Sequence, residues 1–185
     1  MKTQASSFRR GFTLVEMLAV ITIIVILGGI VLASTAYVKQ KKALNEAKVQ
    51  VNLLANAAEQ YKLDTGYFPL GGSGGKGDSK ILYRALYWDS NDNGAGPDTD
   101  SVQKIYISEL DPKTNKIGWT VGDKSEVTIV DPWGNEYRYR NGKMDDGSAN
   151  PKAINPDFDL WSAGPDGKTN ESGSGPETKD DIRNW

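Results

Sequence analysis

Carboxylates carry most of the chemistry open to this 185-residue chain, which has no histidine and no cysteine. Those absences remove every Ser–His or Cys–His nucleophile pair, every imidazole or thiolate metal site and every disulfide. A formal net charge of -2 provides no dominant basic surface, so nucleic acid is not an expected partner. The Gly-rich run at 71–77 lacks the Lys-Ser/Thr ending of a P-loop. One acidic loop matches a metal motif. Asp89-Ser90-Asn91-Asp92-Asn93-Gly94 fits the opening D-x-[DN]-x-[DN]-G of an EF-hand-type loop. Its twelfth position is Asp100, where that motif wants a bidentate glutamate. Pro97 and the lack of a helical pattern afterwards favour an ordinary flexible insertion. A single calcium on Asp89, Asn91, Asn93 and Asp100 is the alternative.

Glu16 is the carboxylate whose position most needs explaining. The leader MKTQASSFRRG carries Lys2, Arg9 and Arg10 and no acid, and Phe12–Ala33 follows it as an apolar run. About 20 mostly apolar residues suffice to cross a bilayer, and the basic flank stays cytoplasmic. An ordinary signal peptide cut near Ala33-Ser34-Thr35-Ala36 would have a shorter apolar region. An uncleaved anchor explains the run but not an acid inside it. A buried core helix does not suit a stretch so long and uniformly apolar. A charge within a membrane span is expensive and usually has a partner. A cut between Gly11 and Phe12 would create an α-amino group four positions before Glu16. That amine on one subunit can pair with Glu16 of a neighbour and set the register between them.

Arg9-Arg10-Gly11 followed by Phe12-Thr13-Leu14-Val15-Glu16-Met17 resembles the class III leader junction of type IV pilins and their relatives. The resemblance implies that a prepilin peptidase cuts after Gly11 and methylates Phe12, and that Glu16 is the assembly residue. It further implies a leader at 1–11, a transmembrane and filament-core half-helix at 12–36, and a periplasmic domain at 37–185.

The elements that follow must hold this N-terminus on a folded head. Residues 37–63 lack Pro and Gly, and apolar side chains recur at Leu44, Ala47, Val51, Leu54, Ala58 and Tyr61. Spacings of three and four predict an amphipathic helix. It covers too few heptads for a coiled coil, so a helix clasping its own domain is expected. One helix from about Thr13 to Leu63 is predicted, ending near Asp64-Thr65-Gly66 with Gly66 as a left-handed cap. Gly28-Gly29 would be either a flexible point or a site of close helix packing. Residues 79–88 predict a short helix, and 104–110 a further short element. Glu126–Val130 and Glu136–Arg140 read as strands flanking the turn Asp131–Asn135, and Phe158–Trp161 as a third. The fold class is therefore α+β, a long N-terminal helix packed on a small antiparallel sheet.

TGYFP at 65–69, DPWGNEY at 131–137, FDLWSAGPDG at 158–167 and the terminal DI.NW at 181–185 are similar to the major pseudopilins of the type II secretion system. The missing cysteines suit that family better than type IVa pilins. The resemblance implies a pilin-like fold with a C-terminal calcium loop. Its ligands would be Asp166 and Asp181, with Leu160 and Ser162 as candidates for the rest. Residues 168–180 are longer than the family pattern, which keeps Asp180 and Ser174 open as alternatives and a solvated acidic loop as the plain reading. Function follows from the same resemblance: a homo-oligomeric periplasmic filament, with minor pseudopilins and an inner-membrane platform as partners, that exports folded proteins. A type IV pilus subunit is the runner-up. A third reading, an anchored periplasmic enzyme using Asp166 and Asp181 as an acid pair, has no substrate to support it, so no enzyme is expected.

Overall fold

A computed structural model describes residues 11–115 and 118–185. The leader cations Lys2, Arg9 and Arg10 lie outside the described residues. The chain divides into two compact units, one reaching Lys42 and the other Ala43–Trp185. Helix α1 runs over Leu14–Thr65 without a break at Gly28-Gly29. Its N-terminal stretch is long and apolar enough to cross a membrane, by length and composition.

In the second unit the predicted stripe is the buried one. Ala47, Val51, Leu54, Ala58 and Tyr61 are buried and Leu44 is half-buried. Gln50 joins them, accepting the Tyr137 hydroxyl at 2.6 Å, so a polar residue inside the stripe is satisfied rather than exposed. The helix stops at Gly66, whose φ of +89° is the left-handed conformation that a Cβ would strain. Its N–H still donates to the Lys62 carbonyl at 2.7 Å.

Helix α2 covers Ser79–Tyr83 and continues as a wider π turn over Arg84–Trp88. Strands β1 (Thr120–Val121) and β2 (Thr128–Ile129) form one antiparallel pair. Strands β3 (Arg138–Asn141), β4 (Phe158–Ser162) and β5 (Ile182–Arg183) form a second antiparallel sheet in that order. The segment expected to be a strand over Glu126–Val130 is shorter, because Lys124–Glu126 is a 3-10 turn. Beyond it, β2 meets β3 through the single bridge Val130–Glu136 rather than a full hairpin. Asp131 explains this: its Oδ1 accepts the N–H groups of Trp133 and Asn135 at 3.0 and 2.8 Å, so a side chain organises the turn.

Every residue of β3 and β4 is buried. Tyr139, Phe158 and Leu160 belong to the hydrophobic core. The opposite face carries Arg138, Arg140, Asp159 and Trp161, paired in register as Arg138–Trp161 and Arg140–Asp159. This second face is roofed by the C-terminal loop and by residues 71–75. Gly74 donates to the Tyr139 carbonyl at 3.0 Å, and Trp185 stands edge-on to Trp161 at 5.6 Å. A cover on both faces is why the strands do not alternate between buried and exposed.

Candidate functional site

At the start of α1, Thr13 and Glu16 close a capping box. The Glu16 carboxylate accepts both the N–H and the hydroxyl of Thr13 at 2.8 Å, and the Glu16 N–H donates back to the hydroxyl at 3.3 Å. The helix thus begins three residues after Gly11. Gly11 and Phe12 precede it outside regular secondary structure and are exposed.

The C-terminal loop is built on β4 and β5. Their register sets Ser162 opposite Ile182, which brings Asp181 to the end of β4. The turn after β4 is pressed onto Asp180. Gly164 has φ +66°, and a Cβ there would lie 2.5 Å from the Asp180 carbonyl oxygen. The N–H of Asp166 donates to Asp180 Oδ2 at 3.3 Å, while Asp166 Oδ1 accepts the Lys168 N–H at 2.8 Å. Ser162 points elsewhere: its hydroxyl donates to Asp131 Oδ2 at 2.5 Å and accepts the Gly164 N–H at 3.0 Å. The Leu160 carbonyl accepts the Asn184 N–H at 3.1 Å. Asn135 closes the group by donating to the Gly164 carbonyl at 2.8 Å. Ser174, the alternative within the long segment, shares a 2.9 Å hydrogen bond with Ser172.

Asp181 has the most unusual environment of these residues. Its side chain is buried. Oδ2 accepts the Thr169 hydroxyl at 2.8 Å and the Arg183 guanidinium at 3.2 Å. Oδ1 is buried with no hydrogen-bond partner. Burial pushes this carboxyl above the usual carboxylate range, against the opposing pull of Thr169 and Arg183. Burial likewise raises Asp131, despite the donors from Ser162, Asn135 and Trp133. Among the described residues, no three acidic side chains converge on one point. Any cation here would therefore draw on carbonyls and hydroxyls beside its carboxylates.

Reasoning from sequence missed the side chains that hold this loop. Arg140 and Asp159 form a buried ion pair at 2.6 Å. Both terminal nitrogens of Arg140 also donate to the Glu171 carbonyl at 3.1 Å. Arg183 donates to the Gly173 and Thr178 carbonyls, each at 2.8 Å. Segment 168–180 is thereby pinned from two sides. The alternation of EYRYR was the one available signal, and it does not tell a roofed arginine from a solvated one.

The Asp89–Asp100 loop gathers its four candidate residues through its own hydrogen bonds. Buried Asp89 accepts the N–H groups of Asn93 and Gly94, each at 2.9 Å. Asp100 Oδ2 accepts the amides of Asn91 and Asn93 at 2.7 and 2.6 Å. Arg84 lies 3.6 Å from Asp89. The Asp89 and Asp100 carboxylates are thus hydrogen-bonded within the loop itself.

Residues 6–32 match the prokaryotic N-terminal methylation motif. Type II secretion system core protein G of Escherichia coli K12 is 28% identical over 186 residues, covering 98% of this chain and 94% of that protein. This chain is similar to that core protein G over nearly its full length. The Pseudomonas aeruginosa core protein G is 27% identical over 175 residues, covering 95% of this chain and 94% of its own. The crystal structure of the major pseudopilin from the type 2 secretion system of enterohaemorrhagic Escherichia coli aligns with 82% of this chain and 89% of its own, at 22% identity and a TM-score of 0.43. The methylation motif match spans Gly11, Phe12 and Glu16.

Proposed function

We infer that this chain is the major pseudopilin subunit of a type II secretion system, a protein that polymerises into a periplasmic filament and helps export folded proteins. The observation that carries this reading is similarity to core protein G along nearly the whole chain, from the methylation motif to the C-terminal loop. It favours the secretion reading over a type IV pilus subunit, because the head as well as the shared N-terminus is included. The subunit is structural rather than catalytic. It is held in the inner membrane by the first half of α1, with its leader cytoplasmic and residues beyond the span periplasmic. Its partners are other copies of itself, a prepilin peptidase, minor pseudopilins and the inner-membrane platform. Coexpression with a prepilin peptidase tests the processing step. Intact mass should correspond to a chain starting at N-methylated Phe12, and a chain starting at Met1 or near Ala36 would contradict it.

Calcium on the C-terminal loop is the second part of the reading. Asp181 supports it, because a buried carboxylate oxygen without a donor suits a hard cation. Asp166 and Asp181 would supply the carboxylates, with the Leu160 carbonyl and Asp180 as further candidates, the Ser162 hydroxyl being engaged by Asp131. When bound, calcium supplies only structural order, tying the turn after β4 to β5. The full chain in detergent micelles should melt at a higher temperature with calcium than with chelator. Saturation at 100 times the dissociation constant corresponds to about 2.7 kcal/mol. The combined Asp166→Ala and Asp181→Ala variant should lose the difference. Retention there, with loss in Asp89→Ala plus Asp100→Ala, would move the metal to the inserted loop.

A further inference from the structure

We propose that Thr169, in the long segment between the two loop aspartates, is the positioning residue that aims Asp181 at the cation. The inference rests on the calcium reading above. Its basis is the direction of two hydrogen bonds. Trp161 Nε1 lies 2.8 Å from Thr169 Oγ1, and Thr169 Oγ1 lies 2.8 Å from Asp181 Oδ2. An indole nitrogen only donates, so the threonine oxygen accepts from it. A hydroxyl has one proton, and that proton must go to Asp181. The relay therefore has a fixed sense, from Trp161 through Thr169 to Asp181.

Arg183 adds a second donor to the same oxygen at 3.2 Å. Both protein donors meet Oδ2 and none meets Oδ1, which is buried. The two oxygens are equivalent, so a half-turn restores the same arrangement, but any smaller rotation of the carboxylate would break both contacts. The side chain is thus held with one oxygen satisfied by protein and the other presented for a ligand. The base of the relay is rigid, because Trp161 is buried in β4 and packs beside the Arg140 guanidinium at 5.5 Å. Thr169 itself is held where Arg140 and Arg183 grip the segment at Glu171, Gly173 and Thr178. The extra length of this segment, a departure from the family pattern in the sequence, thereby acquires a role: it carries the group that orients the ligand. Partners of this kind fix ligand geometry, and their loss typically weakens metal binding about 10–100-fold.

Calcium titration by calorimetry tests this on the full chain in detergent micelles, comparing wild type with Thr169→Val, Thr169→Ser and Asp181→Ala. Valine keeps the shape of threonine without its hydroxyl, and serine keeps the hydroxyl. Wild type and Thr169→Ser should bind calcium within about threefold of each other, and Thr169→Val should bind roughly 10–100-fold more weakly. Asp181→Ala should show no binding. Wild-type affinity in Thr169→Val would overturn the positioning role and leave the calcium reading standing. Equal loss in the serine and valine variants would also overturn it. No calcium binding by wild type would remove the calcium reading and this inference together. The Trp161 indole N–H resonance, recorded in chelator, checks the relay without metal. Asp181→Ala leaves Thr169 in place but frees its hydroxyl, so the resonance should move, and an unmoved one would contradict the relay.

Discussion

Glu16→Gln is expected to leave cleavage after Gly11 intact and to abolish filament assembly. The two substitutions that matter here separate two roles of one side chain. In the single chain Glu16 closes the first turn of α1 by accepting from Thr13. Glutamine also serves in a capping box, so Glu16→Gln preserves that contact. It removes only the negative charge. If the charge pairs with the α-amino group of Phe12 on a neighbouring subunit, losing it leaves that amine uncompensated inside the filament. Breaking one member of a buried pair costs about 3–5 kcal/mol, which corresponds to roughly two to three and a half orders of magnitude in the equilibrium constant of each contact. Because every subunit repeats the contact, polymer should vanish while processed monomer accumulates. Cross-linking of membranes followed by electrophoresis reads the polymer ladder, and intact mass confirms a start at Phe12. A normal ladder from Glu16→Gln would mean that capping, not charge, is the role of this residue. Glu16→Ala, which removes both, should fail as well.

Arg140→Met is expected to lower the melting temperature of the head more than any surface substitution. Arg140 and Asp159 are almost completely buried, at 1% and 0% side-chain exposure. Asp159 also accepts the N–H groups of Ile154 and Asn155 at 2.9 and 2.7 Å, so one carboxylate joins β4 to the preceding turn. Methionine replaces the stem of the arginine but not its charge or its donors. It strands the Asp159 charge and releases the Glu171 carbonyl. The expected loss is about 3–5 kcal/mol, or roughly 10–20 °C for a domain of this size. Arg140→Lys should recover little, because an ammonium cannot reproduce the planar fork that reaches both Asp159 and Glu171. Combining Arg140→Met with Asp159→Leu should restore much of the stability, since apolar replacements of a buried pair are often near neutral. Calorimetry in chelator measures each value without the metal. A shift below about 2 °C in Arg140→Met would show that the pair contributes little.

The long helix was legible because its signals are periodic and local. Leu44 to Tyr61 follows helical spacing, and Gly66 supplies the stop, so α1 at Leu14–Thr65 lies within two residues of the expected Thr13–Leu63. The Asp131–Asn135 turn was legible through its Asp, Pro and Gly. Strands β1 and β5 were not, because two residues carry no period. The roofed face of the second sheet was hidden for a different reason. Arg140 and Asp159 look like outward-facing polar residues in EYRYR and FDLW, since charged side chains are rarely buried without a partner. Their partner is each other, across a register that only the folded sheet reveals. Thr169 was hidden likewise, because its role depends on Trp161 and Asp181, eight and twelve residues away along the chain. At the N-terminus the reverse holds. Gly11, Phe12 and Glu16 were read from a short motif, and the roles proposed for them involve an enzyme and a neighbouring subunit rather than this fold.

Exoprotein secretion in a strain lacking this gene tests the central claim most directly. The fraction of type II substrates in the medium would be compared with the fraction retained in the periplasm. Deletion should trap those substrates in the periplasm and leave surface pili in place, and the wild-type gene should restore export. Normal export together with the loss of surface pili would contradict the account and assign the chain to a type IV pilus.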